Sequence, residues 1–117
     1  MKKVILYIDD EPINLMLFEV NFAEKFKVIT GLSGTEGLEL LKNNDDIHFV
    51  VSDMKMPGMN GVEFIRKAYS KYPHIKYVIL TGYEILPEIE TALDEGIIQK
   101  YFSKPLDILD FEQTINM

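Results

Sequence analysis

Short apolar runs alternate with longer amphipathic stretches along this chain. Val4 to Ile8 is continuously apolar rather than alternating, which predicts a strand buried on both faces. Asp9, Asp10 and Glu11 follow, and Pro12 suits the first turn of a helix. That helix is predicted to reach Lys25, with Ile13, Leu17 and Val20 as one stripe widened by Leu15, Phe18 and Phe22. Lys27 to Thr30 reads as a short strand. Ser33 can cap a helix running to Lys42, with Glu36 at the capping-box position, and Asn43 to Asp46 is a polar turn. His48 to Ser52 predicts another buried strand, ending at Asp53. Pro57 and Gly58 make Met54 to Asn60 a loop, and Gly61 opens a helix with Val62, Ile65 and Ala68 on one face, ending near Tyr72-Pro73. Lys76 to Thr81 is a fourth strand, followed by Gly82. Pro87 to Glu95 is a helix stopped by Gly96. Tyr101 to Ser103 is a fifth strand, and Asp107 caps a last helix.

Five strand-then-helix units predict an α/β fold, a parallel sheet covered by helices on both faces. The strands are too few for a closed eight-fold barrel. No G-x-G-x-x-G or P-loop follows the first strand, which removes the usual nucleotide sites.

Composition narrows the function more than the fold. The 117 residues fit one compact domain, and 47% hydrophobic against 26% charged residues suits a chain held by its own core. The absence of cysteine excludes a disulfide scaffold, thiol chemistry and cysteine-ligated metals, and fits a reducing cytoplasm. The apolar run after the basic Met1-Lys2-Lys3 is too short for a signal peptide or a membrane span. A net charge of −7 argues against direct nucleic-acid binding.

In open parallel sheets, ligands bind beyond the carboxyl ends of the strands. The first strand ends in Asp9-Asp10, the third in Asp53 and the fourth in Thr81, and the fifth leads to Lys104-Pro105. Each residue alone has an ordinary reading as a turn former, strand end or surface charge. Together, three like charges at one sheet edge require positive charge among them. A lysine and a divalent cation answer that need, and oxygen-only ligands favour Mg²⁺. Met54, Met56 and Met59 lack another soft ligand nearby, so a soft-metal site is not expected. His48 and His74 fall on different elements.

This constellation resembles the receiver domain of two-component response regulators. It is carried by Asp9-Asp10, by Asp53-Met54-Lys55-Met56-Pro57-Gly58-Met59-Asn60-Gly61, by Leu80-Thr81-Gly82 and by Lys104-Pro105. The resemblance covers residues 1–117 as a single receiver domain and implies a flavodoxin-like (βα)5 fold with strand order 2-1-3-4-5. It implies that Asp53 accepts a phosphoryl group, with Mg²⁺ (or Mn²⁺) held by Asp9, Asp10, Asp53 and the backbone carbonyl of Lys55. Lys104 then pairs with the phosphoryl group, aimed by a cis bond before Pro105. Thr81 hydrogen-bonds that group, Tyr101 turns inward with it, and Gly82 leaves the approach open. Lys55 and Tyr83 are the positions expected to tune the lifetime of the phosphate. The implied protein is a bacterial, cytoplasmic signalling switch rather than a turnover enzyme. Its implied partners are a sensor histidine kinase or a histidine phosphotransfer protein, with a homodimer or output domain using the face of the fourth helix, fifth strand and fifth helix.

One stretch departs from the commonest spacing. Between Gly96 and Tyr101 there is one extra residue, and Ile97-Ile98 replace an Ala-polar pair. That resembles receivers attached to regulatory or cyclic-dinucleotide output domains. A haloacid-dehalogenase-type phosphatase would need D-x-D where Asp9-Asp10-Glu11 stands. A non-phosphorylated docking module would be expected to have lost an acid or the lysine. The chain could also be the N-terminal part of a longer regulator.

Overall fold

The structure is a computed structural model, and it describes residues 2–82 and 85–116. Five strands, β1 (Lys3–Ile8), β2 (Phe26–Gly31), β3 (Phe49–Asp53), β4 (Lys76–Thr81) and β5 (Lys100–Ser103), form one parallel sheet in the order β2-β1-β3-β4-β5. The helices α1 (Pro12–Phe22), α2 (Gly34–Asn43), α3 (Gly61–Lys71), α4 (Pro87–Asp94) and α5 (Ile108–Ile115) connect and cover it. This is the flavodoxin-like arrangement expected from the sequence.

Alternation along the strands sorts the core into two layers. Val4, Leu6 and Ile8 face α2, α3 and α4 with Val50, Tyr77 and Ile79, while Ile5 and Tyr7 face α1 and α5 with Val51, Val78 and Leu80. The second layer is aromatic: Phe18 and Phe22 of α1 and Phe111 of α5 meet with ring centroids 4.6 to 5.7 Å apart. The three methionines belong to packing. Met54 and Met56 are buried in the first layer and Met59 lies against it. Ile98, in the departing stretch, is buried there too.

Local signals set most boundaries. Ser33 accepts a hydrogen bond from Glu36 N, but the Glu36 carboxylate reaches back to Leu32 N rather than to the cap itself. Asn60 and Glu63 form a full capping box at α3, and Asp107 caps α5 through Asp110 N. Gly96 takes φ +77°, the left-handed conformation that ends α4.

The face of α1 differs from expectation. Ile13, Leu17 and Val20 are 60%, 51% and 71% exposed, whereas Phe18 and Phe22 are buried and Leu15 is partly so. This helix is apolar nearly all round, so periodicity alone does not choose its inner face. The two rings, one turn apart, bury more area and stack into the aromatic layer, and they win. The helix also ends at Phe22, three residues before Lys25, with Ala23 as its C-cap.

Candidate functional site

The carboxyl edge of the sheet gathers the charges. Asp53 is the last residue of β3 and only 7% exposed, and Asp9, just past β1, is fully buried. One carboxylate oxygen from each of Asp9, Asp10 and Asp53 lies within 4.8 Å of the others. Lys104, just past β5, places its ammonium 2.8 Å from Asp53 Oδ1 and 3.6 Å from Asp9 Oδ2. Its backbone N–H donates to the Thr81 carbonyl at 2.9 Å, so β4 fixes where the lysine starts. The Lys104–Pro105 bond is cis, as expected.

Asp9 is the most heavily bonded acid of the cluster. Its Oδ2 accepts from the Tyr7 hydroxyl at 2.6 Å and from Asn14 Nδ2 at 3.2 Å, and its Oδ1 accepts from Glu11 N at 3.0 Å. Asp10 is half-buried at the start of the following loop.

Burial pushes the Asp53 carboxyl above its ordinary range. The hydrogen bond from Lys104 pulls the other way, but burial, with the charges of Asp9 and Asp10, prevails. For Lys104, burial pulls the pKa down, and the hydrogen bond and charge of Asp53, backed by Asp9, more than offset it, so the ammonium is held firmly charged. Burial, the hydrogen bond to Asp9 and the nearby acids push the Tyr7 phenol far up, so it stays protonated and donates. Three crowded carboxylates with oxygen-only donors suit a hard divalent cation such as Mg²⁺.

A model of the response regulator receiver domain family matches residues 5–116. The chain belongs to that family. Sporulation initiation phosphotransferase F of Bacillus subtilis is 30% identical over 117 residues, covering 98% of this chain and 92% of that protein. The transcriptional regulatory protein GlrR of Escherichia coli is 31% identical over 104 residues, covering 88% of this receiver but only 23% of GlrR. Among solved structures, a response regulator receiver domain protein from Clostridium thermocellum superposes with a TM-score of 0.90 at 34% identity, covering 97% of this chain and 91% of that one. The structure of an adenylate cyclase from Rhodopirellula baltica superposes with a TM-score of 0.92 at 34% identity, covering 99% of this chain and 86% of that one.

Thr81 closes β4 and is buried; Lys55 is exposed in the loop after β3. Among the described residues, a Cβ at Gly82 would meet nothing within 4 Å. Tyr101 is half-buried and packs against the layer under α4. Tyr83 lies outside the described residues. Among those residues, no helix is long and apolar enough to cross a membrane.

Tyr7, Asn14 and Gly61 also shape the site, with little signal of it in the sequence. Tyr7 was counted only as part of an apolar run, although it stands two residues before Asp9 on the same side of the chain. Asn14 is one polar residue inside a helix, with nothing in the sequence to tie it to Asp9. Gly61 reads as a helix start and the end of the Asp53–Gly61 motif, yet a Cβ there would also collide with the Asp53 carbonyl oxygen. Only glycine lets α3 begin this close to the end of β3.

Proposed function

We propose that this receiver accepts a phosphoryl group on Asp53 from a phosphohistidine, in a reaction that depends on Mg²⁺. The observation that carries the reading is the Asp53 carboxylate itself, buried beside Asp9 and Asp10 and 2.8 Å from the Lys104 ammonium. An Asp53 oxygen forms the bond to phosphorus as the N–P bond of the donor breaks. The electron pair stays on the imidazole nitrogen, which leaves as neutral imidazole because the other ring nitrogen of the donor carries a proton, and an acyl phosphate remains. Asp9, Asp10, Asp53 and the Lys55 carbonyl would hold the ion, with Mn²⁺ an acceptable substitute. Bound there, the ion supplies charge neutralisation for the phosphoryl oxygens. Lys104 pairs with one of those oxygens as a point charge, and Thr81 donates to another. Gly82 leaves the approach open, and Lys55 and Tyr83 shield the product from water. Thr81 and Tyr101 then shift together and change the outer surface.

The chain thus acts as a bacterial, cytoplasmic switch that assists its own phosphorylation and dephosphorylation. Similarity over nearly the whole length to a sporulation phosphotransferase supports a sensor histidine kinase or histidine phosphotransfer protein as donor. The exposed stripe Ile13, Leu17 and Val20, on the helix that starts two residues after Asp10, supports docking of that donor on α1. A homodimer or output domain would use the surface of α4, β5 and α5.

Acetyl phosphate or beryllofluoride with Mg²⁺ tests the reading. An adduct seen by mass or NMR in the wild type and lost in Asp53→Asn is the expected result. No adduct, or one unchanged in Asp53→Asn, overturns it.

A further inference from the structure

Tyr7 is an unusual group to find against an acidic cation site. Its ring belongs to the aromatic layer between the sheet and α1, stacked on Phe18 with centroids 4.3 Å apart and planes at 21°. It is only 2% exposed, yet its hydroxyl leaves that layer and donates to Asp9 Oδ2 at 2.6 Å. A bond this short from a neutral hydroxyl to a carboxylate is charge-assisted and among the stronger ones available to a side chain.

The alternative partners of that oxygen give the bond its importance. Asn14 Nδ2 lies 3.2 Å away and the Lys104 ammonium 3.6 Å, while the same ammonium holds Asp53 at 2.8 Å. Were the hydroxyl removed, the Asp9 carboxylate would keep Asn14 and Glu11 N but lose its shortest restraint. Asp9 Oδ2, left with Asn14 Nδ2 alone, would then compete more strongly with Asp53 for the ammonium. The phenol therefore both orients one acid and keeps the shared lysine on the other.

We propose that Tyr7 is a positioning residue for the cation site, its hydroxyl holding the Asp9 carboxylate in the orientation that completes the acidic cluster. The proposal rests on the phosphoacceptor reading for the identity of the cation. Partners that stand behind a metal ligand commonly set its affinity, and their loss costs about 10- to 100-fold. Because the ring of Tyr7 is fixed by Phe18, the proposal also ties α1 to the cation: whatever loosens that stack loosens Asp9.

The test is Mg²⁺ titration by calorimetry on the wild-type chain, Tyr7→Phe and Phe18→Leu, with thermal unfolding of each in EDTA. Tyr7→Phe keeps the ring and removes only the oxygen. It is expected to weaken Mg²⁺ binding about tenfold, with Phe18→Leu weaker than wild type in the same direction. A buried hydroxyl that merely satisfies itself on Asp9 would lower the unfolding temperature in EDTA and leave Mg²⁺ affinity alone. Mg²⁺ affinity of Tyr7→Phe equal to or tighter than wild type overturns this proposal while leaving the phosphoacceptor reading intact. A wild type that takes neither Mg²⁺ nor beryllofluoride overturns both.

Discussion

The Asp53 carboxylate pays in stability for its position. Asp53 is driven up in pKa mainly by burial, against the pull of Lys104, so in the metal-free fold its ionisation costs more than in the unfolded chain. A group raised on folding adds stability below its unfolded pKa and loses that contribution as pH rises through the folded value. Asparagine mimics the neutral acid, so Asp53→Asn in EDTA should be more stable than wild type at neutral pH. The gap should close as pH falls toward about 4, the ordinary carboxylate range. Urea unfolding of both proteins from pH 4 to 8 measures it, and a wild type that matches or exceeds the variant at pH 7 contradicts it. Asp9, Asp10, Asp53, Thr81 and Lys104 were legible in the sequence because each is a polar residue interrupting or ending an apolar run. The roles of Tyr7 and of Gly61's missing side chain were not. A tyrosine in a buried strand looks like packing, and a glycine's need for space is invisible until the neighbouring carbonyl is located.

At the scale of the elements, strands were read better than helix faces. Continuous apolar runs mark parallel strands directly, and all five fall within about a residue of their expected bounds. The α1 face was illegible because its outward side is as apolar as its inward side. The two sides should separate cleanly in mutagenesis. Phe18→Ala is expected to cost about 3–5 kcal/mol, as for other buried aromatic truncations, whereas Val20→Ser should stay within about 0.5 kcal/mol of wild type. Leu17→Glu should likewise fold normally and label fully with acetyl phosphate, but slow phosphoryl transfer from a histidine donor. Equal slowing with both donors would remove α1 as the docking surface.

For the whole molecule, the alternation of strands and helices made the fold class readable, whereas which residues converge depends on strand order, which no local pattern encodes. That order, β2-β1-β3-β4-β5, divides the site by depth. The acids grow from β1 and β3, whose residues from Val4 onward and throughout β3 are buried, while the lysine follows β5, an edge strand in which only Phe102 is buried. Two amides report on the halves: Met54 N donates to Leu80 O, and Lys104 N donates to Thr81 O, each at 2.9 Å. Edge segments with little buried surface open more readily than a sheet's centre. Amide hydrogen exchange should therefore release Lys104 well before Met54, and equal protection would count against it. The site can thus breathe on one side: its acidic half persists through excursions that carry its lysine away.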